Sequence, residues 1–283
     1  MRRSLRSGTM TALDVLNNWP VPTAAAAVVG PTAVLARHGD TGHRFPLASV
    51  TKLLVARAAQ VAVEEGAVEL DAAAGPPGAT VRHLLAHAAG YEMTSAKVIA
   101  RPGTRRVYSN YGFTALAETI EAQSSIPFAT YLAESVFAPL RMDDTGLDGG
   151  AEAAGYGATS TVDDLVSFAG DLLTPALVSG QMHDEAASVQ FPGLDGVLPG
   201  FGVQRPNDWG LGFEIRGGKS PHWTGAGNSA RTFGHFGQSG TFLWVDPDAA
   251  LALVVLTDRR FGEWAHSVMP ALSDEVLREF GAD

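Results

Sequence analysis

At 283 residues the chain has room for one large domain or two modest ones, with enough apolar surface to bury a true core. Its 20 basic residues against 30 acidic ones leave a net charge of −10, which argues against a general binder of nucleic acid or of anionic membranes. Cysteine is absent, so disulfides, thiolate metal sites and cysteine nucleophiles are excluded.

The N-terminus, Met1-Arg-Arg-Ser-Leu-Arg6, is basic, but Leu13-Asp-Val-Leu-Asn-Asn-Trp-Pro20 follows where a signal peptide needs an unbroken apolar run. No export signal or membrane span is legible, a cytoplasmic location is expected, and the first nine residues read either as a disordered arm or as preceding a true start at Met10. Ala24–Val29 and Ala33–Arg37, joined by Gly30-Pro31, predict two paired strands. Ser49–Glu65 carries Leu53, Leu54, Ala58, Val61 and Ala62 at helical spacing and stops at Gly66.

From Ala67 to about Pro206 the pattern is mostly helical. Thr80 caps Val81–Ala88, which ends at Gly90; Ser109 or Asn110 starts a run to Gln123; Pro127 fits the first turn of a helix over Phe128–Phe137. Thr161-Val-Asp-Asp164 is a capping box for a helix to Leu173, and Phe191–Asn207, rich in Gly and Pro, reads as an ordered surface loop. Strand character returns at Trp209–Arg216, Ala230–Phe236, Gly240–Asp246 and Ala250–Thr257, the last two joined by a tight turn at Asp246-Pro-Asp248. The closing helix, Glu263–Phe280, places Trp264, Val268, Leu272, Val276 and Phe280 on one side, with a kink or restart at Pro270. Strands at both ends around a helical middle predict an α+β fold: a central antiparallel sheet completed by both termini (1–66 and 207–283), with a mainly helical subdomain (67–206) inserted and the active site at their junction.

The chemistry starts at Ser49-Val-Thr-Lys52. On a helix the hydroxyl and the amine lie about one turn apart on one face. A serine hydroxyl attacks a carbonyl well only when a neighbour takes its proton, and a desolvated amine has its pKa pulled towards neutrality. With seventeen serines and three lysines (Lys52, Lys97, Lys219), the spacing also fits an ordinary N-cap serine beside a solvated lysine, so the rest of the chain must decide.

It does so with two further pieces in order, Tyr108-Ser-Asn110 and His235-Phe-Gly237 ahead of a strand. With Ser49 and Lys52 these resemble the serine β-lactamase and penicillin-binding-protein superfamily, and within it the class C β-lactamase-related branch of DD-peptidases and esterases. The resemblance spans about residues 20–260 and takes in Thr80-Val-Arg-His-Leu-Leu-Ala-His-Ala-Ala-Gly90, Arg101-Pro-Gly-Thr104, Phe137-Ala-Pro-Leu-Arg-Met142, Ser160-Thr-Val-Asp-Asp164 and Leu253-Val-Val-Leu-Thr257. It implies a β-lactamase/transpeptidase-like fold and a Ser49 acyl-enzyme on a small ester, amide or β-lactam carbonyl. No cofactor or metal is implied, and neither nucleic acid nor a membrane is an expected partner. Lys52 and Tyr108 would shuttle the proton, although Tyr108 also fits a core tyrosine with a satisfied hydroxyl. Asn110 would hold Lys52 and a substrate carbonyl, and also fits a plain helix cap. The Ser49 N–H and, by family geometry, the Gln238 N–H would form an oxyanion hole, with Gly237 and Gly240 letting substrate lie against the strand.

His235 replaces the lysine of Lys-Thr-Gly. A histidine titrates near neutrality, so part of the control over Lys52 is expected to follow pH between about 6 and 9, and esters or uncharged amides gain weight over carboxylated substrates. Lys219-Ser-Pro221 imitates the missing triplet, but its proline removes a strand donor. His83 and His87 have the i, i+4 spacing of metal ligands, but Leu84 stands where a zincin helix needs glutamate, and the family uses this stretch as framework. Gly225-Ala-Gly227 reads as a turn, and Glu92, Arg105 and Arg106 as solvated loop residues near the cleft. A penicillin-recognising fold kept for binding, with little turnover, is the alternative function.

Overall fold

The structure, a computed structural model, describes residues 11–281. The basic stretch Met1–Arg6 and the alternative start at Met10 lie outside the described residues. A 3₁₀ helix over Ala12–Asn18 leads into the hairpin β1 (Ala24–Val29) and β2 (Val34–His38). A two-residue strand β3 (Phe45–Pro46), a 3₁₀ turn at Ala48–Val50 and helix α1 (Thr51–Glu64) follow. The middle of the chain holds α2 (Val81–Leu85), α3 (Asn110–Ser124), α4 (Phe128–Leu132) with its π-helical continuation Ala133–Phe137, and the short strands β4 (Gly146–Leu147) and β5 (Ala158–Ser160). After α5 (Val162–Leu173), α6 (Gly180–Ala186) and the pair β6 (Gly196–Leu198) and β7 (Gly202–Gln204), the chain returns to strands. These are β8 (Glu214–Ile215), β9 (Phe233–Gly237), β10 (Thr241–Asp246) and β11 (Leu251–Thr257), before α7 (Glu263–Phe280) closes the chain.

The main sheet has the order β2-β1-β11-β10-β9-β8, every pair antiparallel, so both ends of the chain do complete one sheet. Alternation sorts its residues between two cores. Ala26, Val28, Trp244, Leu253 and Val255 face α7 and the N-terminal 3₁₀ helix; Ala27, Leu243, Val245, Val254 and Leu256 face α5 and the core that continues to α1. A sheet buried on both faces explains the nearly unbroken apolar runs of β1 and β11. The second core continues through α1 to Phe113 and Leu116 of α3, and β3 pairs with β5, tying the helical middle to the segment that carries Ser49.

Four elements differ from expectation. The helix after Thr80 ends at Leu85 and not Ala88, because His87 takes a left-handed φ of 53° that no α-helix continues. Phe191–Asn207 is not only a loop, since β6 and β7 pair within it and Leu198 and Gln204 are buried. Trp209–Arg216 shrinks to a two-residue strand, because the chain turns at Gly210–Gly212 and only Glu214 and Ile215 reach β9. Pro270 neither breaks nor restarts α7; the carbonyl that its ring deprives of a donor belongs to His266, on the exposed side where water can serve it. Thr161 caps α5 as expected, accepting from the Asp164 N–H at 3.1 Å, but the Asp164 carboxylate turns to the Asp144 N–H and the Thr145 hydroxyl, so the box is half made. No described helix is long and apolar enough to cross a membrane.

Beneath the second core, Arg57 of α1 meets Asp171 of α5 at 2.9 Å with both side chains fully buried. Asp171 also accepts from the N–H groups of Ala176 and Leu177, and Arg57 donates to Gln60. Removing one partner of such a pair strands a buried charge. Asp171→Ala is expected to lower unfolding stability by about 3–5 kcal/mol, read from urea denaturation.

Candidate active site

The turn before α1 is strained where it presents Ser49. Ala48 adopts a left-handed φ of 48°, a conformation that costs a non-glycine residue of the order of 1–3 kcal/mol and persists only when its surroundings enforce it. Those surroundings are β9. A Cβ on Gly237 would lie 2.5 Å from the Leu47 carbonyl and from Thr241 Oγ1, and 3.1 Å from Ala48 Cβ. Thr241 in turn donates to the Leu47 carbonyl at 2.8 Å. Glycine at 237 therefore makes room for the protein's own Leu47–Ala48 turn, and Gly240 for the Arg259 carbonyl and Thr257.

Ser49 sits on this 3₁₀ turn, two residues before α1, and its hydroxyl is met from two sides. Tyr108 donates to Ser49 Oγ at 2.8 Å, and Lys52 Nζ lies 3.5 Å from the same oxygen. Lys52 is fully buried and donates to Asn110 Oδ1 and to the Gly155 carbonyl, each at 2.6 Å. Burial pushes its pKa well below that of an ordinary lysine. A neutral amine has two N–H donors and one lone pair; with both donors taken, the lone pair is left for Ser49. Asn110 reaches this position as the first residue of α3, whose cap is Ser109, accepting from the Gly112 N–H at 2.9 Å.

Burial drives the Tyr108 pKa upward, partly opposed by the hydrogen bond with Ser49, so the side chain remains a phenol at neutral pH. Its oxygen is also 3.3 Å from His235 Nε2. His235 Nδ1 lies 2.6 Å from the Phe236 carbonyl, which can only accept, so the proton of the neutral ring sits on Nδ1 and the Nε2 lone pair faces Tyr108. Burial first, and the positive field of Lys52 second, push the His235 pKa down to about 3. The expected titration of His235 near neutrality is thus overturned: the ring is uncharged across that range.

The cleft above Ser49 has a volume of about 330 Å³. Besides Ser49, Tyr108, Asn110, His235 and Gln238 it is walled by Met93, Leu198, Pro199 and Phe236, with Arg260 at the rim. The predicted site residues Ser49, Lys52, Tyr108, Asn110 and His235 thus meet in one place; Gln238 borders the cleft, and Gly237 lies beneath the turn. Among the described residues no group of three or more histidines and carboxylates is placed to hold a metal, and His83 turns to Thr80, 2.9 Å away, while His87 is buried on the other side.

Several contributors had no legible sign. The Gly155 carbonyl is a backbone acceptor that any residue would supply. Arg106, expected in solvent, is 2% exposed and clamps four carbonyls, those of Ala86, Gln190, Phe191 and Asn207, which positions the Phe191–Asn207 wall. Lys219, set aside as an imitation, is buried in an ion pair with Glu214 at 2.8 Å.

The beta-lactamase family model matches residues 18–278. The chain belongs to the beta-lactamase family. A crystal structure of a beta-lactamase from Mycobacterium bovis is 69% identical, with a TM-score of 0.96 over 96% of this chain and all of that one. A hydrolase with promiscuous acyltransferase activity shares the fold at 16% identity, with a TM-score of 0.77 over 94% of this chain and 96% of that one. An N-acetylmuramyl-L-alanine amidase of Bacillus subtilis is 25% identical over 214 residues, 59% of this chain and 47% of that protein. This beta-lactamase-family chain spans about half the length of the curated relatives it matches.

Gly237→Ala is expected to cost about 1–3 kcal/mol through the clash with Leu47 and Thr241, measured by thermal unfolding, and to make Ser49 less reactive towards a fluorophosphonate by moving the turn.

Proposed function

We propose that this beta-lactamase-family protein is a serine hydrolase that works through a Ser49 acyl-enzyme on small esters or amides, β-lactams included. The observation that carries the reading is a single hydroxyl met at 2.8 Å by a phenol and at 3.5 Å by a buried amine. The opposite pKa directions of these two groups assign their parts. Lys52, with its pKa lowered, takes the Ser49 proton as Oγ bonds to the carbonyl carbon; Tyr108, held as a phenol, gives its proton to the departing alkoxide or amine. Water then gives a proton to the Tyr108 phenolate as it attacks the acyl-enzyme, and Lys52 returns its proton to Ser49 Oγ as that oxygen leaves, which restores all three groups. The N–H groups of Ser49 and Gln238 serve the oxyanion, and Asn110 orients Lys52.

The apolar wall of Met93, Leu198, Pro199 and Phe236, beside an uncharged His235, supports an apolar acyl group in that part of the cleft, with Arg260 the one cation lining it among the described residues. The Tyr-x-Asn and His-x-Gly motifs support placement in the class C-related branch.

Ser49 in the wild-type protein is expected to gain the mass of a fluorophosphonate adduct, and Ser49→Ala to reduce p-nitrophenyl ester turnover to background. An unlabelled wild type, with turnover equal in both proteins, would instead favour a binding protein. Lys52→Met is expected to lower kcat/KM by about 10²–10⁴-fold. Because the free amine is the base, kcat/KM rises with pH and levels off well below the 10.5 of an ordinary lysine. His235, neutral throughout, contributes no inflection between about pH 5 and 9. His235→Asn is therefore expected to leave the midpoint of the pH–rate profile in place; a shift in that midpoint would return His235 to the titrating groups.

A further inference from the structure

Tyr108 lies in the irregular segment before α3, where no helix or strand fixes it, yet its oxygen must keep to Ser49. One buried residue holds it from three directions. The His87 carbonyl accepts from the Val107 N–H at 2.8 Å, and His87 Nδ1 accepts from the Ser109 N–H at 3.1 Å. The two amides that flank Tyr108 are thus both tied to His87. The imidazole also lies against the phenol ring, with centroids 4.6 Å apart and planes inclined at 39°. On its other sides are Trp209 at 4.5 Å and Phe113 at 5.3 Å.

We propose that His87 is a positioning residue for Tyr108, its carbonyl and Nδ1 fixing the backbone on either side while its ring backs the phenol, so that the 2.8 Å approach to Ser49 is preset. The proposal rests on the reading of Tyr108 as the proton carrier. Two features set His87 apart from a filler of the core. Its left-handed φ of 53°, unfavourable for a histidine, accompanies the early end of α2 and the return of its carbonyl to Val107. Its Nε2 is buried without an oxygen or nitrogen partner, an arrangement that a leucine or methionine would spare the protein. Burial holds the ring neutral, and the nearby Arg106 guanidinium acts in the same direction, so Nδ1 keeps the lone pair that the Ser109 amide requires.

Asparagine places its Oδ1 where histidine has Nδ1 and tolerates a positive φ; glutamine and leucine do not supply that acceptor. In ethyl butyrate turnover, where the departing alkoxide needs a proton, His87→Leu and His87→Gln are expected to lower kcat about tenfold or more with KM within about twofold, because a misplaced proton donor weakens the chemical step and not binding. His87→Asn should recover most of the loss, although all three variants give up ring packing and melting temperature. Equal losses in all three variants, or wild-type kcat in the leucine variant, would overturn the proposal. An activity-independent arm uses the wild type: nitrogen-15 histidine spectra should show His87 as the uncharged Nε2–H tautomer at neutral pH, with a slowly exchanging Ser109 amide. An Nδ1–H tautomer, or an unprotected Ser109 amide, would overturn it even if the variants fail to fold. Absence of ester turnover in wild type with both spectral features intact would remove the reading of Tyr108 as proton carrier, and the proposal with it; turnover in wild type without those features would remove the proposal alone.

Discussion

The site depends on one desolvated amine. Lys52 is buried on the first turn of α1 with no carboxylate among the described residues beside it, and burying a fixed ammonium there would cost far more than two hydrogen bonds return. The protein shifts the balance towards the uncharged form and gives its two N–H groups to Asn110 and Gly155, which come from different parts of the helical middle. The rings of Tyr108 and Phe113 lie 4.7 and 5.4 Å from the nitrogen and soften the cost when a proton arrives. Burial and these contacts pull in opposite directions, which suits the proton-transfer part proposed for Lys52. Moving either acceptor would leave a buried donor unpaired, so α3 and the Gly155 turn are held to α1 by the chemistry as well as by packing.

A second charged cluster lies behind the first. Glu214 on β8 receives Lys219 Nζ and His222 Nε2, each at 2.8 Å, together with the Trp223 indole N–H. Burial alone would raise its pKa, but Lys219 and His222 outweigh that and keep it ionised. This pins the short edge strand to the segment that follows it and leaves β9 one fixed neighbour on each side. Strand β9 can then press Gly237 against the Leu47–Ala48 turn, and the strain at Ala48 is maintained from both sides.

What could be read from the chain follows from where the information is stored. Side-chain chemistry at short spacing was legible: Ser49 with Lys52, Tyr108 with Asn110, and the helix caps at Thr80, Ser109 and Thr161 all rest on contacts a few residues apart. The strands of the central sheet were legible because each buries apolar runs between turn residues. Backbone-mediated contacts were not. Gly155 acts through its carbonyl, Arg106 through four carbonyls distant in sequence, and the left-handed turn at His87 shortened a helix that propensity would have continued. His235 shows a further limit: its residue type suggested a group titrating near neutrality, whereas burial, not visible from residue type, keeps its ring neutral.

Arg106 holds the Phe191–Asn207 wall through main-chain oxygens alone, and this separates two requirements that many clefts confound. Where the wall stands is set by the guanidinium; what it presents to a ligand is set by side chains such as Leu198 and Pro199, which the guanidinium never touches. Exchange of those side chains can therefore alter which ligand the cleft accepts while the anchor keeps its place. In evolutionary terms, the selectivity of this enclosure is free to drift on a scaffold that does not.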